Sequence, residues 1–316
     1  MKLPLLCLGI FVTIMIHAQP KVVIVSQSGN ADVTTVQAAF DAVPVNNQTP
    51  ITIMVKNGIY KEKLHLDAGK NFVTLVGESA EKTILTYDDH TGKIGADGAV
   101  INTRTSYSFL LKANDFTAKN ITFQNDAGFT AGQAVAAEMD GDKAAFYNCR
   151  FIGFQDVLFT NNDSSRQYYK NCYIEGTTDF IFGSATVWFQ QCHIHSKKNS
   201  HVTAASTPAN HPFGYIFNKC TLTGDTGLHG VSLGRPWQPY AAVVYLNCNI
   251  DSHILPEGWR NWNNTENYKT ARFAEYKNTG LGAETINRVT WAKQLSDEEA
   301  KSYTIQTIFS NWMPKE

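Results

Sequence analysis

Two aspartates in a repeated segment have the spacing to do chemistry. Asp156 and Asp179 each fall seven residues after the cysteine of an Asn-Cys pair, Asn148-Cys149 and Asn171-Cys172, and the cysteines and the aspartates are both 23 residues apart. The segment from Phe146 to Phe189 is therefore one unit written twice. If each unit is a coil of a stacked fold, the aspartates occupy equivalent positions on neighbouring coils, where parallel strands are about 4.8 Å apart. Two carboxyls that close do not both ionise easily. One is driven towards the neutral acid while the other stays charged, which supplies a general acid beside a nucleophile or base.

Other groups could complete such a site. Gln155 adjoins Asp156, and Gln133 lies one coil earlier. Amides beside a carboxylate pair can donate to a developing oxyanion; the alternative is a glutamine ladder along the stack. Arg235, in Leu-Gly-Arg-Pro-Trp at 233–237, stays charged at all working pH and can pair bidentately with a carboxylate. Placed against Asp179 it would hold that group ionised. As a surface residue before a proline turn it would do little. Trp237, Tyr240, Trp259 and Trp262 offer flat apolar faces of the kind sugars stack on, and each could equally be ordinary packing.

The elements that must position these residues are short strands. The anchor recurs from Asn120, Asn148, Asn171, Gln191, Lys219 and Asn247, and its second residues, from Ile121 to Cys248, are 28, 23, 20, 28 and 28 apart. Each anchor is an alternating run rich in Phe, Tyr, Val and Ile between turn residues, which predicts strands. A β-solenoid tolerates variable inserts at its corners, whereas a propeller needs about 40–45 residues per blade. The pattern predicts an all-β fold, a right-handed parallel β-helix. Val36, Ala39, Phe40 and Val43 fall at helical spacing within 34–43, before Pro44, and predict a short helix capping one open end. Strands are expected at 21–26, 51–56 and 72–76, and a polar turn with an insert over 77–99. Ser296 to Glu299 forms a capping-box pattern, and the run to Phe309 reads as a C-terminal helical segment lying outside the solenoid or across its far end.

Lys2, the apolar run Leu3 to Ile16 and Ala18 read as a signal peptide over 1–18, followed by one domain over 19–316. The run is too short to span a membrane, and the chain is expected to be secreted or periplasmic. A net charge of −1 gives no sign of a nucleic-acid partner. A monomer is expected, with no metal and no cofactor. After the signal segment five cysteines remain, at the same place in successive repeats. That placement predicts a ladder of buried thiols rather than disulfides.

Three further patterns have simpler explanations. Gly230 to Gly234 matches a nucleophile elbow around Ser232, with Asp251 and His253 following, but an elbow needs a helix after it and Arg-Pro-Trp follows here. His193 and His195 share a strand face with no third ligand at comparable spacing, and Asp88-Asp89-His90 reads as a polar turn.

Gly-Phe-Gln-Asp-Val-Leu-Phe (153–159), Gly-Thr-Thr-Asp-Phe-Ile-Phe-Gly (176–183) and Leu-Gly-Arg-Pro-Trp (233–237) resemble the pectin methylesterases. Segments 35–39, 58–62, 118–125, 133–136, 257–259 and 274–280 resemble that family in the same order, so the likeness covers almost the whole mature chain. The resemblance implies a right-handed parallel β-helix. It implies Asp179 as nucleophile, Asp156 as general acid and then base, and Gln133 with Gln155 as the oxyanion hole. It implies that Arg235 orients Asp179 and that Trp237 and Phe182 line the sugar groove. The implied substrate is methylated homogalacturonan. Phe154, Val157 and Phe159 stand where Tyr, Thr and Tyr are usual, Ser184 where Asn is common and Leu281 where Pro is usual; these departures bear on substrate length and methylation pattern. A polysaccharide-backbone hydrolase or lyase, a binding solenoid and an esterase for another acyl group are the competing functions.

Overall fold

The computed structural model describes residues 21–315, so the expected signal segment lies outside the described residues. The chain winds through three sheets of eleven, eight and seven strands, and every recorded strand pairing is parallel. One coil shows the path: Ala144–Tyr147 in the first sheet, Arg150–Ile152 in the second and Leu158–Thr160 in the third, before Arg166–Lys170 returns to the first. This is the right-handed parallel β-helix expected from the repeat.

Each anchor marks the corner between the eleven- and eight-stranded sheets. Asn120, Asn148, Asn171, Gln191, Lys219 and Asn247 have φ between 52° and 55°. Asparagine enters that left-handed region more readily than most side chains, which explains its recurrence before the cysteine. The next residue turns inward. Cys149, Cys172, Cys192, Cys220 and Cys248 are all buried and free, as the ladder reading expected. One rung away, Phe146, Tyr169, Phe189, Phe217 and Tyr245 stack in register with successive centroids 4.8, 5.0, 4.5 and 4.4 Å apart. Such pairs contribute about 0.5–1.5 kcal/mol each beyond the area they bury. The ladder runs into Glu275, whose buried carboxylate is held by Arg288 at 2.8 Å and by the Trp259 indole at 3.2 Å.

The capping helix is Val36–Asp41. Thr35 caps it, and the Glu62 carboxylate accepts from the backbone amides of Val36 and Gln37 at 2.9 and 3.0 Å. Its buried face packs Phe40 against Phe109 in the core.

Two expectations need correction. Segment 77–99 is not only turn and insert: Thr83–Tyr87 is a strand paired with Gly58–Lys61 and Thr122–Asn125. The polar residues flanking its five-residue apolar alternation hid it. The C-terminal run is two short helices, Asp297–Ala300 and Ile305–Phe309, because Thr304 caps a new helix. The second packs Ile308 and Phe309 on the outer face of the eleven-stranded sheet beside Tyr147, Trp188 and Leu246, so the segment lies along the outside. Among the described residues no helix is long and apolar enough to cross a membrane.

Candidate active site

The site forms on the outer face of the seven-stranded sheet. Register fixes a row of side chains there: Leu110, Glu138, Phe159, Phe182, Ala204 and Arg235 on successive strands. Phe159 and Phe182 stack with centroids 4.3 Å apart. They form the floor of a cleft of about 370 Å³ whose lining includes Gln133, Gln155, Asp156, Asp179, Arg235, Trp237 and Trp262.

The aspartates lie where the 23-residue spacing puts them. Leu158 pairs with Ile181 and Phe159 with Phe182, so two residues earlier Asp156 stands beside Asp179 on the next coil. Both adopt left-handed backbone, with φ of 64° and 49°, at the corner leading into the cleft sheet. The Asp156 amide donates to the carbonyl of Thr178 at 3.1 Å, and the Asp179 amide to that of His201 at 2.8 Å. Gly176 permits the tight corner, since a Cβ there would lie 2.3 Å from the Phe180 Cβ.

Electrostatics separates the two carboxyls. Burial pushes the Asp156 carboxyl well above the usual carboxylate range, the Asp179 charge adds to the shift, and Arg235 opposes it. Burial also raises Asp179, and the Arg235 hydrogen bonds and charge offset only part of that rise. Arg235 donates from Nε to Asp179 Oδ1 at 3.0 Å and from Nη2 to Oδ2 at 2.5 Å. Its guanidinium carbon is 3.9 Å from the centroid of the Trp262 ring. Asp179 therefore ionises before Asp156.

Gln133 and Gln155 pair as a parallel bridge and both line the cleft. Among the described residues neither side-chain amide has a hydrogen-bond partner in the structure, which leaves both free to donate to a bound oxygen. Trp237 stands 6.0 Å from Phe182 and 6.5 Å from Trp262, completing an aromatic wall.

All seven site residues singled out in the sequence thus meet in one cleft. Of the other aromatics considered, Trp262 joins them. Trp259 is instead core, its ring tilted against Phe273 with centroids 4.5 Å apart, and Tyr240 is exposed outside the cleft lining. Ser232 is fully buried, and its hydroxyl meets His201 Nδ1 at 2.7 Å rather than His253. His193 and His195 both contact the Thr223 hydroxyl at 2.7 Å on the eight-stranded sheet. Asp88 and Asp89 pair with Lys61, Lys63 and Lys93. Sequence reasoning missed Arg104 and Thr103 on the cleft wall; no repeat position or spacing marks them.

Fold and cleft together define a parallel β-helix hydrolase. The family model described as Pectinesterase matches residues 22–311. The chain is 42% identical to Pectinesterase 31 of Arabidopsis thaliana over 288 residues, covering 90% of each chain. It is 41% identical to Putative pectinesterase 11 of the same plant, covering 87% of this chain and 75% of that one. Among solved structures, pectin methylesterase from carrot superposes with a TM-score of 0.85 at 34% identity, covering 92% and 93% of the two chains. Pectin methylesterase PemA from Erwinia chrysanthemi superposes at 0.83 and 27% identity, covering 94% and 99%. The chain belongs to the pectinesterase family, and it is an enzyme of the pectin methylesterase type.

Proposed function

We propose that the protein removes methyl esters from methylated polygalacturonate through a covalent intermediate on Asp179. The observation that carries the assignment is the unequal environment of the two aspartates. Asp179 is held by Arg235 as the carboxylate, while Asp156, more deeply shifted and without such a clamp, keeps its proton.

An Asp179 oxygen attacks the C6 carbonyl carbon of a methyl galacturonate, and the carbonyl electron pair moves onto oxygen. The amides of Gln133 and Gln155 donate to that oxyanion; one such donor is typically worth about 2.7–4 kcal/mol in the transition state. Collapse breaks the bond to the methoxy oxygen, which takes the Asp156 proton and leaves as methanol. An acyl-enzyme anhydride remains on Asp179. Asp156, now a carboxylate, accepts a proton from water as that water attacks the acyl carbon. The second collapse frees the galacturonate carboxyl and restores the Asp179 carboxylate. Trp237, Trp262, Phe182 and Phe159 supply flat faces for the sugar rings.

A solved pectin methylesterase in complex with a hexasaccharide superposes with a TM-score of 0.84 at 27% identity, which supports an extended saccharide as ligand. We also propose that residues 1–18 direct export, which would bring the enzyme to an extracellular polymer. The test is methanol release on highly methylated polygalacturonate with solution viscosity followed in the same tube. Methanol at unchanged viscosity is expected. A rapid viscosity drop without methanol would replace the esterase with a backbone-cutting enzyme.

A further inference from the structure

The column that carries the two aspartates continues past them. Ile181 pairs with Thr203 and His201 with Ser232, so Asp156, Asp179, His201 and Ser232 take the same position on four successive coils. Neighbouring rungs of a parallel sheet are about 4.8 Å apart. The His201 carbonyl accepts the Asp179 amide at 2.8 Å, which ties those two rungs together. The half-buried imidazole is anchored on its far side, where Nδ1 meets the hydroxyl of the fully buried Ser232 at 2.7 Å. Among the described residues no carboxylate pairs with the ring.

Two guanidiniums act on the same ring. Arg235 grips Asp179 from the coil that carries Ser232. Gly234 bridges Trp259, so Arg260 follows Arg235 one coil on, and its backbone amide donates to the Gly234 carbonyl at 3.1 Å. Arg260 is exposed and is not part of the cleft lining. Burial keeps the His201 ring neutral, and the Arg235 and Arg260 charges push the same way, lowering it to about 4.

We propose that His201 is a positioning residue for the Arg235–Asp179 pair, and that the clamp holds only while its imidazole is neutral. The role rests on the esterase reading above. A neutral ring on the rung beside Asp179 shields the pair from water on that side and leaves Asp179 to Arg235 alone. Charge-assisted bonds are stronger where the dielectric is low. Protonation adds a third cation to a site that holds one carboxylate. Ser232 and the Thr178–Ser200 hydroxyl pair, 2.9 Å apart, carry no charge to offset it. Asp156, on the other side of Asp179, is itself driven towards the neutral acid. The imidazolium repels Arg235 and competes with it for Asp179, which draws the carboxylate off its attacking position.

The test is the acid limb of kcat/KM for methanol release, with near-ultraviolet circular dichroism at each pH to separate unfolding from lost catalysis. Asp179 and His201 must both be deprotonated, so the wild-type logarithmic limb should steepen from a slope of about one to about two below about pH 4. His201→Asn keeps a hydrogen-bonding group for Ser232 and cannot charge. Its limb should hold a slope of about one, with plateau kcat lowered and KM little changed. Arg260→Gln removes a charge that keeps the ring neutral, so the steep segment should move to higher pH. In a His201→Asn background the same change should not move the limb. Titration of His201 by nuclear magnetic resonance gives a second reading: its midpoint should rise by about one pH unit in Arg235→Gln. A wild-type slope of about one throughout, superposable limbs for wild type and His201→Asn, or a His201 midpoint indifferent to Arg235 would overturn the proposal. Absence of methanol at every pH from the folded wild type would instead overturn the esterase reading beneath it.

Discussion

Arg235 reaches Asp179 across an intervening strand. In the sheet Arg235 is paired with Ala204, and Ala204 with Phe182, so the guanidinium passes over the alanine to grip a carboxylate 56 residues back in the chain. The close approach is helped by Gly234, where a Cβ would lie 2.0 Å from the Thr203 hydroxyl. This contact separates the two aspartates electrostatically, and the following expectations depend on it.

Replacing Arg235 should move the acid limb of the pH profile. In the proposed mechanism activity requires Asp179 ionised, so kcat/KM falls as pH drops through its pKa, and it requires Asp156 protonated, so it falls again at high pH. Arg235 lowers the Asp179 pKa against burial. Arg235→Gln should therefore shift the acid limb to higher pH as well as reduce the maximum. An acid limb that stays in place in a folded variant would show that Arg235 does not control Asp179.

Ala204→Leu tests the path of the guanidinium. Ala204 is buried within the cleft lining. A leucine there occupies the space under Arg235 and costs about 1–3 kcal/mol in overpacking. The expected result is a folded protein with kcat reduced well beyond any change in KM. Full activity would mean that the arginine finds Asp179 by another route.

Gln133→Ala and Gln155→Ala should each lower kcat by about 10²–10³-fold, the range seen when one oxyanion donor is removed. Neither amide has a protein partner among the described residues, so the thermal midpoint should hardly change. A large loss of stability with intact activity would return both residues to a structural ladder.

Glu138→Gln should stabilise the protein at alkaline pH. The Glu138 carboxyl titrates near 8 in the folded chain and from 4.5 when unperturbed. Between those values the folded chain holds a proton that the unfolded chain has released. The stabilising effect of neutral Glu138 is full below the lower value and lost as pH rises through the window, on the order of 5 kcal/mol across it. The glutamine removes that loss. Thermal midpoints measured from pH 5 to 9 should therefore converge at the acid end and separate in favour of the variant at the alkaline end. Parallel curves would place Glu138 in contact with water.

Much of this was legible in the sequence because a β-helix writes its register as spacing. The 23-residue step from Asp156 to Asp179 equals the step from Leu158 to Ile181 in the sheet, so stacking alone put the carboxyls together. The Cys ladder was readable for the same reason. Arg104 was not, because it comes from an irregular insert whose placement over Phe159 depends on the folded turn. Glu138 occupies a strand position that faces either core or cleft depending on register, and nothing in the chain marks it as buried. The strand Thr83–Tyr87 was hidden by polar flanks, and the break at Thr304 by a capping residue inside an apparently continuous helical run.

The most direct measurement is methanol release by Asp179→Asn beside the wild type on highly methylated polygalacturonate, with near-ultraviolet circular dichroism of both. Asparagine keeps the shape and an acceptor for Arg235 but cannot attack as a carboxylate. A native spectrum with turnover lost is the predicted result. Methanol release near the wild-type rate from a folded Asp179→Asn protein would contradict the assignment of Asp179 as the nucleophile.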